Sequence, residues 1–106
     1  MAVNPEDLTV IHNEDAHRFE LHAAGLQALL TYRRFPDRIV FDHTEVPQPL
    51  EGKGLAAKLA RSALDFARQQ HLRVILLCPY ISTFLRKHTE YQDLVSSEDL
   101  QKLQSR

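Results

Sequence analysis

The sequence has one cysteine, no tryptophan and only three glycines in 106 residues. A lone thiol, Cys78, excludes an intramolecular disulfide and points to a reducing, cytoplasmic compartment. Basic residues are in no surplus: thirteen Lys and Arg face fourteen Asp and Glu, giving a net charge of −1. Non-specific nucleic-acid binding needs a cationic surface that displaces counterions, so nucleic acid is not an expected partner. No apolar run approaches the roughly 18 residues of a membrane span. The first residues, MAVNPEDLTVIHNEDAH, are acidic and polar, unlike a secretory signal. The histidines His12, His17, His22, His71 and His88 lack ligand spacing with Cys78 or with one another, so no metal is expected.

What remains is an ordinary globular composition, 43% hydrophobic and 25% charged. A chain of this length buries roughly 60–70% of its unfolded surface, enough for one self-supporting domain spanning 1–106.

The first half reads as strands. Arg18 to Ala23 alternates apolar and polar residues, Gly25 interrupts, and Leu26 to Arg33 forms the second arm of a hairpin. Phe35-Pro36-Asp37 supplies a turn before a further strand, Arg38 to Val46. Leu8 to His12 is a weaker edge-strand candidate. The period then changes. From Gly54 to about Gln70, Ala56, Leu59, Ala60, Ala63, Leu64 and Ala67 follow helical spacing along one face. Arg73 to Cys78 is almost continuously apolar and reads as a strand covered on both faces. Pro79 opens a second helix through His88, and Ser97 caps a last, polar one. The fold class is α/β: a mixed, mostly antiparallel sheet with flanking helices.

Chemistry concentrates between His43 and Ala56. A strand runs into Glu51-Gly52-Lys53-Gly54 at a helix start, where unpaired amides and the positive end of the helix dipole suit a pyrophosphate. The glycine spacing matches neither the Walker pattern nor G-x-G-x-x-G, since Ala57 stands where the last glycine is required. On these residues alone, a phosphate cradle and a plain turn stand level.

Glu51-Gly52-Lys53-Gly54-Leu55-Ala56 resembles the pyrophosphate loop of GNAT acetyltransferases, Gln/Arg-x-x-Gly-x-Gly/Ala. With His43-Thr44-Glu45-Val46, Cys78-Pro79-Tyr80 and Lys87-His88-Thr89-Glu90-Tyr91, it is similar to a small, single-domain branch of that superfamily, from Phe19 to Val95. The resemblance implies a twisted sheet whose central strands splay around the pantetheine arm of acetyl-CoA. It places the pyrophosphate on Glu51, Gly52, Lys53, Gly54, Leu55 and Ala56, with Val46 lending backbone groups and Phe84 and Lys87 flanking. Glu51 departs from the pattern by bringing a carboxylate toward the pyrophosphate. The chain also lacks room for the helical pair and final strand pair that commonly shape the acceptor site.

The implied activity is acetyl transfer to a small amine or an exposed peptide amine. Such a reaction needs a base, oxyanion stabilisation and a proton for the leaving thiolate. Glu45 and His43 share one strand face and are the candidate bases, unless Glu45 is only exposed and His43 packs with Ile39 and Phe41. Thr44, on the opposite face with Asp42, reads as structural. Tyr80 is a candidate proton donor. Cys78, at the N-cap of the second helix, is a candidate nucleophile for an acetyl-cysteine intermediate or a small buried residue. A non-catalytic acyl-CoA-binding module on the same fold is the alternative function.

Overall fold

A computed structural model of the chain describes residues 8–104. Five strands, β1 (Ile11–Asn13), β2 (Arg18–Ala23), β3 (Leu26–Arg34), β4 (Arg38–Glu45) and β5 (Arg73–Leu76), form one sheet in the order β1-β2-β3-β4-β5. Only β4 and β5 pair in parallel. Their crossover is helix α1 (Leu55–Gln69); α2 (Pro79–Lys87), a 3-10 segment (Thr89–Leu94) and α3 (Ser97–Gln104) follow β5.

Alternation in β2 sends Phe19, Leu21 and Ala23 to one face, opposite Leu30, Ala28 and Leu26 of β3. Helix α1 covers that face. Leu55, Leu59, Ala60, Ala63, Leu64 and Ala67 are buried against it, and the alanines allow close approach of helix to sheet. Each fully buried leucine contributes on the order of 1.5–3 kcal/mol relative to exposure. Ala56, expected on this buried face, is only partly buried and lines a cavity; Leu55 takes the inner position.

Three expectations are corrected. The strand from Arg73 ends at Leu76, and β5 is the sheet's edge rather than a centre strand. Ile75 and Leu76 are half-buried and Leu77 is 57% exposed, so its apolar run is not covered on both faces. The edge strand near the N-terminus is Ile11–Asn13, and the part of the Leu8–His12 expectation before Ile11 is not a strand. Ser96, not Ser97, caps α3, its Oγ accepting the Asp99 amide at 3.1 Å.

The short strand β1 is anchored by one ring. His12 stacks on Phe19 at 4.1 Å, meets the edge of Phe66 at 4.5 Å and lies 2.6 Å from the Tyr32 hydroxyl. Burial holds the His12 pKa below its ordinary value of 6.5, with Glu14 opposing and Arg34 adding to the shift. Above 6.5 this contribution to stability is complete. Below it the unfolded chain binds a proton that the folded ring resists, so stability declines as pH falls through the folded value. The melting temperature is therefore expected to drop below pH 6.5, with a shallower slope in His12→Phe; identical slopes would remove this role from His12.

Candidate functional site

Register decides which residues of β4 reach the site. Thr31 of β3 pairs with His43, but the next residue, Tyr32, pairs with Phe41. Asp42 is therefore an extra residue, a β-bulge that re-aims everything after it. Thr31 Oγ1 donates a short hydrogen bond to Asp42 Oδ1, and Arg33 lies 3.7 Å from the same carboxylate. Before the bulge, Ile39 and Phe41 point into the core. After it, Thr44 lies opposite the fully buried Leu30 on the helix-covered side, while His43 and Glu45 face the open side.

Two sequence expectations change as a result. His43 does not pack with Ile39 and Phe41; it is exposed, as is Glu45, on the face they share. Thr44 does not share the outer face with Asp42. Its Oγ1 lies 3.2 Å from Cys78 Sγ, across the point where β4 and β5 part. The β4–β5 ladder ends at Phe41 and Leu76, followed by a last bond from the Leu77 amide to the Phe41 carbonyl. Beyond it, β4 continues to Glu45 while the other chain turns into α2 with Cys78 at its N-cap. The strands splay there, and Cys78 is 2% exposed in the fork.

Beside the fork lies a cavity of about 240 Å³. Val46 forms one side, Leu50 and Leu55 the floor, Tyr80 the wall from α2, and Glu51, Gly52, Gly54, Ala56 and Ala57 the rim. A 3-10 turn over Gln48–Leu50 delivers the chain to this rim and buries Leu50. Gly52 and Gly54 have φ of 76° and 79°, left-handed conformations that disfavour any side chain. A Cβ on Gly52 would meet no protein atom within 4 Å, so the space over the loop is open.

Gly54 is the N-cap of α1 and has no side chain to cap it. The first helical hydrogen bond runs from the Lys58 amide to the Gly54 carbonyl, and the first turn carries no acidic residue. The amides of Leu55, Ala56 and Ala57 therefore point out of the helix with its positive dipole end behind them. Open space over glycine, uncapped amides and an apolar floor fit a ligand with a phosphate and an extended apolar arm.

The remaining named residues divide. Lys53 is half-buried within the loop and Glu51 is exposed at its rim. Phe84 is 3% exposed and stacks on His88 at 4.0 Å, behind Tyr80, so it supports the wall rather than lining the cavity. Lys87 is exposed at the far end of α2, roughly 10 Å along the axis from Tyr80. Burial raises the Tyr80 pKa above its ordinary value, Cys78 adds to the rise and Arg61 opposes it, so the phenol keeps its proton near neutral pH. Tyr91 is buried, with its hydroxyl donating to Asp65 at 2.8 Å. Among the described residues no cluster of histidine, cysteine or carboxylate side chains is arranged to hold a metal, and no helix is long and apolar enough to cross a membrane.

Sequence reasoning set Thr44 aside and did not single out Leu50 or Ala57. The neighbour of Thr44 emerges only from the bulge and the strand pairing, and no local pattern signals it.

Comparison with known proteins agrees with this geometry. Residues 18–94 match the model of the GCN5-related N-acetyltransferase family. Protein NATD1 of Bos taurus is 36% identical over 84 residues, covering 76% of this chain and 74% of its own; the Mus musculus protein is 34% identical, covering 76% of each. The solution NMR structure of a GCN5-like protein from Staphylococcus aureus superposes with a TM-score of 0.66 at 31% identity, covering 85% of this chain and 89% of its own. With a bulged fourth strand, splayed neighbours and a glycine loop opening the crossover helix, the chain belongs to the GCN5-related N-acetyltransferase family.

Proposed function

We propose that this chain is a single-domain, acetyl-CoA-dependent N-acetyltransferase acting on a small amine or an exposed peptide amine. The observation that carries this reading is the uncapped first turn of α1, opened by two left-handed glycines beside an apolar cavity at the strand fork. The amides of Gly52 to Ala56 bind the pyrophosphate, and the half-buried Lys53 adds positive charge. Val46 offers backbone groups to the pantetheine arm, which runs over Leu50 and past Tyr80 toward the fork. In this reading Lys87, exposed at the far end of α2, serves the distal end of the ligand, and Phe84 packs behind Tyr80 from the core.

Acetyl-CoA supplies the activated acetyl thioester. Glu45, on the open face, takes the proton from the incoming ammonium group; His43, two residues earlier on that face, is the second candidate base. The Tyr80 hydroxyl, which retains its proton, hydrogen-bonds the departing sulfur. A covalent variant is favoured by one contact, that between Cys78 and Thr44 at the fork. In it, Cys78 Sγ attacks the acetyl carbonyl and coenzyme A leaves as the thiol carrying the Cys78 proton; the amine, having given one proton to Glu45, then takes the acetyl group from sulfur, and its second proton returns to Cys78 Sγ. Mass spectrometry after incubation with acetyl-CoA alone separates the routes: an acetyl adduct on Cys78 that an amine discharges supports the covalent one. Full turnover by Cys78→Ala supports direct transfer.

Enzyme and binding module differ in one readout, coenzyme A release in the presence of a panel of amines. Amine-dependent release supports the enzyme. Binding of acetyl-CoA without release under any amine supports the module.

Glu51 gives an independent test of the pyrophosphate position. Its exposed carboxylate sits on the cavity rim, so like charges repel across the loop. Glu51→Gln should tighten acetyl-CoA binding several-fold and Glu51→Arg more so, with the gain shrinking at high salt. Unchanged calorimetric affinity in both variants would move the pyrophosphate away from this rim.

A further inference from the structure

We infer that the open sheet face beside the fork selects the acceptor, taking a small primary amine that carries an apolar group and no carboxylate; this rests on the acetyltransferase reading. Among the described residues only Ile11 and Leu77 are large apolar side chains left exposed, at 49% and 57%. Ile11 lies on β1, at the opposite edge of the sheet, whereas Leu77 immediately precedes Cys78 on the β5 arm of the fork. A single exposed leucine needs no explanation. This one has apolar neighbours on its own face.

Strand pairing identifies them. Ile39 and Phe41 pair with Val74 and Leu76 on the helix-covered side, so the pair between them, Val40 and Ile75, faces the open side. Leu77 follows Ile75 by two residues, and its amide still bonds the Phe41 carbonyl at 3.2 Å, so its side chain continues that row. Buried Val40 and half-buried Ile75 thus form an apolar floor that ends in the exposed Leu77. The β4 arm is polar instead. Asp42 accepts the Thr31 hydroxyl and lies 3.7 Å from Arg33, while no cation among the described residues pairs with the exposed Glu45.

The two arms together define the occupant. Continuing the parallel register one step puts Leu77 opposite Asp42, three residues before Glu45, or about 10 Å along the strand. An ammonium group held by Glu45 therefore carries its substituent back toward Leu77 and Ile75. An aromatic ring two carbons from the nitrogen covers that span, with hydrogen-bond contact of about 3 Å at one end and van der Waals contact of about 4 Å at the other. Covering Leu77 with a ring removes apolar surface from water on both partners, which a hydroxyl at the same place does not do. A carboxylate on the carbon next to the nitrogen meets Glu45 and Asp42, both of its own sign, so a free α-amino acid is disfavoured.

The test is methyl NMR on the full chain, with and without coenzyme A, titrated with 2-phenylethylamine, phenylalanine and ethanolamine. The first should shift the Leu77 and Ile75 methyl signals by its ring current, and the other two should bind about 10-fold more weakly or worse. In turnover, kcat/KM should follow the same order. Leu77→Ser, a change at an exposed side chain, should raise KM for 2-phenylethylamine about 10-fold without raising that for ethanolamine. Equal binding of phenylalanine or ethanolamine, no shift at Leu77 at millimolar 2-phenylethylamine, or an unaltered KM in Leu77→Ser would overturn the inference. The expected shifts without coenzyme A release from any amine would uphold the binding preference and remove the acetyltransferase reading, so the two fail separately.

Discussion

Ala56→Glu is expected to weaken acetyl-CoA binding by about 100-fold or more while leaving the unliganded protein as stable as before, or slightly more so. The two effects have opposite signs for one reason. A carboxylate in the first turn of α1 interacts favourably with the helix dipole, by roughly 0.3–1 kcal/mol. The same carboxylate occupies the position from which the Ala56 amide would meet a pyrophosphate, and like charges about 5 Å apart near a protein surface repel by about 3 kcal/mol. Ala56 is partly buried on the cavity rim, so the longer side chain has space to enter without disturbing the core. Gly54 is the poorer probe. With φ of 79°, any side chain there costs about 1–2 kcal/mol in the backbone, which mixes instability with lost binding. Thermal melting and calorimetry on Ala56→Glu check both halves. Undiminished affinity would place the pyrophosphate elsewhere.

Glu45→Gln is expected to lower kcat by ~10²-fold or more with little change in acetyl-CoA affinity. Glu45 projects to the open face, away from the cavity beneath Val46 and Tyr80, so its loss should spare cofactor binding. The amide is isosteric and cannot accept the proton. His43→Gln should cost less, because His43 lies one pleat further back along β4. The measurements are steady-state kinetics across pH and a parallel binding titration. An active Glu45→Gln protein with an unaltered pH profile would transfer the role to His43 or to water.

Much of this arrangement is legible in the sequence, and the parts that are not share a cause. The buried face of α1 follows from spacing, because a helix repeats regardless of what it packs against. Strands β2 and β3 follow from alternation, and Gly52 and Gly54 announce a loop that side chains cannot form. Alternation fails at Asp42. From Ile39 to Glu45 three apolar residues are followed by four polar ones, nothing in which marks the bulge, because bulges are defined by the partner strand. Thr44 therefore reaches Cys78 and His43 reaches the open face, a distinction no local pattern carries. The apolar run from Arg73 to Cys78 misleads in a related way. Its composition suits a strand covered on both faces, but position within a sheet is set by topology, and here no strand follows beyond it among the described residues. Cys78 at the N-cap of α2 was legible, since Pro79 fixes the helix start.

Everything proposed for this chain depends on binding of the acetyl-CoA pyrophosphate by the glycine loop and first turn of α1. It is tested most directly by titrating acetyl-CoA into the isotopically labelled protein and following backbone amides. Saturable binding is expected, with the largest shifts at Gly52, Gly54, Leu55 and Ala56, smaller ones at Val46 and Tyr80, and a rise in melting temperature with ligand concentration. No shift at these amides at millimolar acetyl-CoA, or shifts confined to another surface, would contradict it.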